Sequence, residues 1–362
     1  MNKKTTLIQV AELANVSPAS ASMILNNRNS SSFSDETVKK VIQAADELGY
    51  VKKNKGNSAS CTFLTKQTVV IICPTVISPY YATLVQSIEQ SARLKGFDTL
   101  IYNTYRDPEK ELQLLSFLKG SDIAGILFTI IPQAKQLVEE INSHIPVVVI
   151  GDRDDSVNID TVETSNYSAG VLMARYLLQL GHKNIAFIST TLNQSNTART
   201  KRLEGIKDTF ANECPEGAVL VKSWDIKPQE ELQNLFLEHT VGYELCKASL
   251  CHSELTAFVG VNDMVAYGIL DALNGSGYKV PEDYSVCGFD NNFPSAFSSV
   301  SLTSVDQCIQ DKAHNAFDRL CEKITQPSEE RLNSSDVITR VEYRQKLVVR
   351  NSTNVPRSFI KK

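Results

Sequence analysis

Six side chains in this chain of 362 residues stand where an apolar run gives way to polar sequence, and each could hydrogen-bond or stack on a small polar molecule. Thr129 closes AGILFT (124–129). Trp224, the only Trp, follows AVLVKS (218–223). Asn262 comes after TAFVG (256–260), and Asp290 closes YSVCGFD (284–290). Tyr80 and Tyr81 follow VVIIC (69–73). Hydroxyl, amide and carboxylate groups supply donors and acceptors, and an indole face can lie on a sugar ring. Plainer roles are open to the aromatics: packed rings at a helix start for the Tyr pair, and a partly buried packing residue for Trp224.

Catalytic signatures are missing. There is no G-x-G-x-x-G after the first strand, no Walker lysine loop and no G-x-S-x-G elbow. His, Ser and Cys residues fall into no recognisable catalytic arrangement, and His182, in LGH, reads as a cation at a helix C-terminus. The eight Cys residues are scattered, without C-x-x-C. Buried free thiols in a reducing cytoplasm account for them better than disulfides or zinc. The expectation is no catalytic residue, no metal and no cofactor.

The elements that must place the six residues are strands alternating with helices. Apolar runs at 69–73, 97–102, 124–129 and 146–151 are separated by helical patterns, among them Leu84 to Lys95. After Asn166 the pattern restarts: a helix to Leu180, strand 184–190, helix 199–213, strand 218–223, strand 256–260, helix 263–274 and strand 284–290. Continuous apolar runs of this kind are central parallel strands. The fold class is α/β, with two doubly wound lobes. Ligands of such sheets sit beyond the carboxyl ends of the strands, here in the cleft between lobes.

The first fifty residues differ. Thr6 and Gln9 have capping-box spacing, and Leu7, Val10, Ala11 and Ala14 form one apolar stripe. Asn15 suits the left-handed end of that helix, and Val16 can plug the turn. Ser17 is an N-cap, with Pro18 at the first helical position. A third helix starts after Ser34 and buries Val38, Val41, Ile42, Ala45 and Leu48. Two short helices about a turn plus a third make a helix-turn-helix. The second, Pro18 to about Asn26, carries the small residues Ala19, Ser20 and Ser22, so its backbone can approach a DNA groove closely.

VAELANVSPASASMILNN followed by ETVKKVIQAADELGY resembles the amino-terminal domain of the lac repressor/gal repressor family, whose members read close to VAxxAGVSxxTVSRVLN and TRxRVxxAxxELGY. The body resembles the family's effector domain, itself similar to a periplasmic sugar-binding protein, through ISPYYATLVQSIE, LLQLGHKNIAFIS, RTKRLEGI, VGVNDMVAYGILDAL and VPEDYSVCGFDN. The resemblance implies DNA contacts from Thr6, Ser17, Pro18, Ala19, Ser20, Ser22, Met23, Asn26, Asn27 and Arg28. It implies effector contacts from Tyr80, Tyr81, Arg202, Asn262 and Asp290, to which Thr129 and Trp224 are added as candidates by their places at strand ends. Arg202, in KRLEG, matches the Arg that grips ligand hydroxyls or carboxylates through its fork; Asp263 is expected to cap its helix. Arg202, Trp224, Asn262 and Asp290 together suit a polyol or sugar, and a purine or phosphorylated metabolite also fits.

Departures are visible. Met23 stands where relatives carry Arg or another long polar residue, and it cannot make a bidentate contact to guanine. Asn15 replaces a turn Gly, and Ser165 replaces an Asp common before Asn166. Counting from Tyr50, the usual hinge Pro-Asn falls on Lys52 and Lys53 and the minor-groove Leu on Ala59, so a flexible tether and a hinge that folds on DNA are both open for the linker.

The implied organisation is a DNA-binding domain at 1–50, a linker at 51–66, an effector and dimerisation domain at 67–352 and a tail at 353–362. One lobe takes about 67–162 and 293–322, the other about 163–290 and 326–352. Residues 1–60 hold eight Lys/Arg against five Asp/Glu, and the rest 29 against 36, a mildly basic head on an acidic body. Lys3, Lys4, Arg28, Lys39, Lys40, Lys52, Lys53 and Lys55 are candidate phosphate contacts. With no export signal and no membrane span, the expectation is a cytoplasmic repressor that pairs with operator DNA, a small-molecule effector and a second copy of itself. Leu84, Ile88, Ile269 and Phe297 are candidate dimer contacts. A solute-binding or sensory protein using the same cleft without DNA regulation is the alternative.

Overall fold

The computed structural model of the protein describes residues 6–25, 33–48, 64–152, 154, 156–193, 196–227, 230, 234, 236–326 and 337–357. The chain divides into two compact units, Met1–Thr62 and Phe63–Lys362.

The first unit contains α1 (Leu7–Leu13), α2 (Pro18–Leu25) and α3 (Asp35–Glu47). Thr6 and Gln9 form the capping box, with Thr6 N donating to Gln9 Oε1 at 2.9 Å. Asn15 takes φ 52° and turns the chain, and Ser17 Oγ accepts from Ser20 N at 3.0 Å to start α2. Val10, Ala11, Ala14, Ala21, Ile24, Val41, Ala44 and Ala45 form the core, with Val16 packed against it. Ile42 is not in that core; it is 48% exposed. It lies about 100° around the helix from Val41, and the small Ala44 and Ala45 keep the buried stripe too narrow to include it. Asn26, Asn27, Arg28 and residues 51–63 of the linker lie outside the described residues.

The second unit begins with β1 (Thr68–Cys73), α4 (Pro79–Leu94), β2 (Asp98–Asn103), α5 (Pro108–Leu118), β3 (Gly125–Phe128), α6 (Lys135–Asn142), β4 (Val147–Asp152) and β5 (Asp160–Thr164). It continues through α7 (Asn166–Leu180), β6 (Asn184–Thr190), α8 (Thr197–Glu213), β7 (Ala218–Trp224), α9 (Leu237–Ser249), β8 (Ala257–Gly260), α10 (Asp263–Gly275) and β9 (Ser285–Asp290). Last come β10 (Thr303–Asp306), α11 (Ile309–Thr325), β11 (Arg340–Tyr343) and β12 (Lys346–Val348). Among the described residues these strands form two sheets, in the orders β11-β5-β4-β3-β1-β2 and β12-β10-β9-β8-β6-β7. Pairing is parallel except between β10 and β12.

The lobe boundaries differ from those expected. The resemblance places residues 293–306 in the first lobe, but β10 pairs with β9, Thr303 opposite Cys287, and belongs to the second. Residues 340–343 were assigned to the second lobe, but β11 pairs with β5, Arg340 opposite Thr161. TSVD and RVEY are too short and too polar for their sequence to say which sheet they complete. The chain therefore passes between sheets after Thr164, after Asp306 and after Tyr343.

Each lobe has its own apolar interior. Leu84, Ile88 and Phe317 pack on one face of the first sheet, and Leu115, Phe128 and Val138 on the other. Met173, Phe187, Ile206, Val265 and Ile269 fill the second lobe. Leu84, Ile88 and Ile269 are thus fully used in cores and present nothing to a partner, whereas Phe297 is 45% exposed. Among the described residues no helix is long and apolar enough to cross a membrane.

His182 does not act as a helix-end cation. Its ring is fully buried, Nδ1 sharing a hydrogen with Thr256 Oγ1 at 2.8 Å and Nε2 with the Asn354 carbonyl oxygen at 2.9 Å. Burial lowers its pKa from 6.5 to about 4, so the ring is neutral at pH 7. A depressed folded-state pKa contributes stability that is complete above the unfolded value and lost as pH falls toward the folded one, here about 3 kcal/mol between pH 6.5 and 4. Urea unfolding of the native chain and of His182→Gln at pH 7 and pH 4.5 should therefore show the native chain losing more stability on acidification.

Candidate functional site

The carboxyl ends of both sheets face a cleft of about 410 Å³, in the size range of roughly 300–1,000 Å³ usual for small-molecule sites. Of the predicted effector residues, Tyr80, Tyr81, Thr129, Arg202, Asn262 and Asp290 line it. Trp224 does not. It ends β7, the outermost strand of its sheet, and is 43% exposed. The chain reaches the cleft two residues later at Ile226, whose N–H donates to Thr191 Oγ1 at 2.7 Å.

Arg202 is 7% exposed and held on three sides. Nε donates to Asn166 Oδ1 at 2.8 Å, Nη1 to the Val261 carbonyl oxygen at 2.6 Å and Nη2 to Asp290 Oδ1 at 3.2 Å. Its guanidinium lies 4.9 Å from the centre of the Phe289 ring. Three of its five N–H groups therefore serve the protein, and two remain for a ligand. The residue gets there because α8 lies against α7 at backbone distance. A Cβ on Gly170 would lie 2.1 Å from the Arg202 carbonyl oxygen, and one on Gly205 2.2 Å from that of Tyr167.

Asp290 has φ 108° and Asn291 φ 52°, left-handed conformations that cost a non-glycine residue energy and that collect at functional sites. Asp263 holds this corner. It does not cap α10; Asn262 does, its side chain accepting from Val265 N at 3.0 Å. The Asp263 carboxylate is fully buried and accepts from Asn292 N at 2.7 Å, Ser295 Oγ at 2.8 Å and Ser304 Oγ at 2.6 Å. Burial, and then the charge of Asp290, raises its pKa; burial raises that of Asp290 too, with Arg202 opposing. The cap uses the Asn262 oxygen and leaves its NH₂ for the cleft.

The first lobe supplies phenols held by cations. Tyr80 and Tyr81 meet edge to face, ring centres 5.0 Å apart at 89°. Lys312 Nζ donates to the Tyr80 hydroxyl at 3.0 Å, and Arg106 Nη2 to that of Tyr81 at 3.2 Å. Both phenols thus accept from the protein and keep an O–H to give. Burial pushes the Lys312 ammonium down to about 8 and raises both phenols. Thr129 spends its hydrogen on the Ile72 carbonyl oxygen at 3.2 Å, so toward the cleft it can only accept.

Sequence reasoning missed Arg106, Asn166, Lys201, Asp152 and Gln307. Asp152 ends β4 one residue beyond the expected strand; its Oδ2 lies 2.9 Å from Lys201 Nζ on α8, an ion pair between the lobes, and its Oδ1 accepts from Asn166 N at 3.2 Å. The strand-end rule would have found Asp152, because GD simply continues VVVI. Gln307 follows a strand that was not recognised and carried no signal.

In the first unit, Ser17, Pro18, Ala19 and Met23 are exposed and Ser20 and Ser22 half-buried, while Ala21 and Ile24 face the core. Thr6 is taken by its capping box. The second helix thus offers one face of small side chains.

A helix-turn-helix and a two-lobed α/β body whose cleft carries polar groups among apolar ones define a ligand-responsive DNA-binding protein as the class. The family model described as "Bacterial regulatory proteins, lacI family" matches residues 6–53, and that described as "Periplasmic binding proteins and sugar binding domain of LacI family" matches residues 66–346. The chain belongs to the LacI family and is a DNA-binding transcriptional regulator. It is 29% identical over 350 residues to the transcriptional repressor PurR of Haemophilus influenzae (strain PittEE), covering 96% of this chain and 98% of the relative. It is 30% identical over 312 residues to the transcriptional regulator DegA of Bacillus subtilis (strain 168), covering 85% and 88%. In fold it is similar to the regulator CelR in complex with cellobiose, with TM-score 0.64, 23% identity and coverage of 96% and 99%.

Replacing Arg202 by Met should leave the Asp290 carboxyl buried without its partner and cost about 3–5 kcal/mol of the larger unit's stability. Urea unfolding at pH 8 measures this, and adding Asp290→Asn should recover part of the loss.

Proposed function

We propose that this regulator is a cytoplasmic repressor, without enzymatic activity, that binds its operator as a homodimer and responds to a sugar or sugar derivative in the cleft. The observation that carries the reading is the set of cleft groups with directions to spare: two N–H of Arg202, the NH₂ of Asn262, the O–H of Tyr80 and Tyr81, and acceptors on Thr129 and Asp290. Neighbouring hydroxyls of a sugar both donate and accept, and need such a mixture. PurR, a repressor by name, and CelR, bound to cellobiose, support the sign of regulation and the ligand class. The domain divisions proposed are 1–50 for DNA, 51–66 for the linker and the remainder to Ser352 for effector and dimer contacts, with the lobe boundaries set by strand pairing.

DNA reading falls to α2, with Ser17, Pro18, Ala19, Ser20, Ser22 and Met23 toward the groove and Asn26, Asn27 and Arg28 following. Small residues bring the helix backbone near the bases, and Met23 offers apolar contact rather than a guanine fork. The sugar reading is tested by thermal shift of the full chain with D-glucose, D-ribose, D-galactose, maltose and cellobiose. A rise with at least one of them, together with a change in binding to the DNA upstream of its own gene, is the expected result; no rise with any removes the sugar class.

Ala19 is exposed, so Ala19→Glu leaves the three-helix core intact while placing a carboxylate against DNA. A gel shift should show specific binding falling by at least about a hundredfold, the loss of a close contact plus phosphate repulsion. Unchanged affinity takes α2 out of the groove.

One helix-turn-helix reads too few base pairs to bind tightly alone, and a symmetric pair reads two half-sites. Sedimentation of the full chain at micromolar concentration should give twice the 40.1 kDa chain mass. A monomer would leave paired reading without a mechanism.

A further inference from the structure

The three segments that join the lobes are tied together by side chains. Thr164 is the last residue before the first crossing, Gln307 stands on the second and Gln345 on the third. Thr164 Oγ1 donates to Gln307 Oε1 at 3.4 Å, and Gln345 Nε2 donates to the same oxygen at 3.4 Å. Gln345 Nε2 also donates to the Ser165 carbonyl oxygen at 3.1 Å. That carbonyl can only accept, so it fixes which end of the Gln345 amide is nitrogen; the oxygen of Gln307 must then face it. The Gln307 nitrogen is left at the other end. Gln307 is 1% exposed and lines the cleft, and its Nε2 has no partner among the described residues. A buried amide N–H without an acceptor is unfavourable, and an oxygen arriving in the cleft would relieve it.

We propose that Gln307 couples occupancy of the cleft to the angle between the lobes. An acceptor oxygen of the bound sugar takes the Nε2 hydrogen, while Oε1 of the same planar amide holds the other two crossings. Because the amide is rigid, fixing its nitrogen on a ligand fixes the plane in which Thr164 and Gln345 must meet its oxygen. A ligand then favours the lobe arrangement in which all these bonds form, which is the differential contact that coupling requires. The proposal rests on the effector reading of the cleft. It adds that the effector presents a hydroxyl, ring or carbonyl oxygen at the hinge end; an ammonium or a methyl group there would not bind.

Two substitutions separate the parts. Gln307→Glu keeps an oxygen for Thr164 and Gln345 and replaces only the cleft-facing donor by an acceptor. Gln345→Met cuts one tie without touching the cleft. With full-length protein and whichever of D-glucose, D-ribose, D-galactose, maltose and cellobiose binds tightest by calorimetry, Gln307→Glu should weaken binding at least about tenfold. Gln345→Met should keep sugar affinity within about threefold while most of the sugar's effect on binding to the upstream DNA is lost. Binding of the sugar by Gln307→Glu as tightly as by the native chain overturns the donor role. A full DNA response in Gln345→Met overturns the coupling, and remains readable should Gln307→Glu fail to fold. Either result leaves the effector reading standing, whereas a native chain that binds none of the five sugars removes both.

Discussion

A guanidinium largely withdrawn from water must be neutralised and hydrogen-bonded where it sits, and much of the second lobe's half of the cleft follows from doing this for Arg202. Its partners come from the start of α7, the end of β8 and the end of β9, three places brought together only by a parallel sheet with helices crossing between its strands. The close passage of α8 over α7 at Gly170 and Gly205 sets its reach. An Arg that makes these bonds is a fixed template, because a side chain immobilised before a ligand arrives loses little freedom when one binds.

The same economy explains the strained corner after β9. Asp290 faces Arg202 only because its backbone takes a conformation that a side chain ordinarily avoids. Asp263 supplies the restraint, gathering Asn292, Ser295 and Ser304 onto one carboxylate. Its own burial beside Asp290 is unfavourable, and three hydrogen bonds offset it. The first lobe works the other way round, with the cations Lys312 and Arg106 holding the hydroxyls of Tyr80 and Tyr81.

The parts of this arrangement legible in the sequence were those that repeat with a period. Strands such as VVIIC and NIAFIST and the caps at Thr6 and Ser17 announce themselves through burial and local hydrogen bonding. Strand ends then led to Tyr80, Thr129, Asn262 and Asp290. What failed was either short or long-range. TSVD and RVEY carry too few residues to reveal their sheet. One partner of Asp263 lies 41 positions away at Ser304 and one of His182 74 positions away at Thr256, and no local pattern encodes such pairs. Trp224 misled because its side chain, at the end of an edge strand, is turned to solvent, and the chain enters the cleft only two residues later at Ile226.

The ion pair between Asp152, which lines the cleft, and Lys201 joins the two lobes. The Lys201 side chain is 34% exposed and that of Asp152 only 4%, so dissolved ions reach the cation and screen the pair in part. A rise in ionic strength therefore acts on this protein in two places at once: it competes with phosphate contacts, and it loosens the lobes of the body. The slope of a salt titration of operator affinity is then not a simple count of neutralised phosphates. Titrating with and without bound effector would resolve the two, since a ligand that spans the cleft shields one from the solvent and leaves the other unchanged.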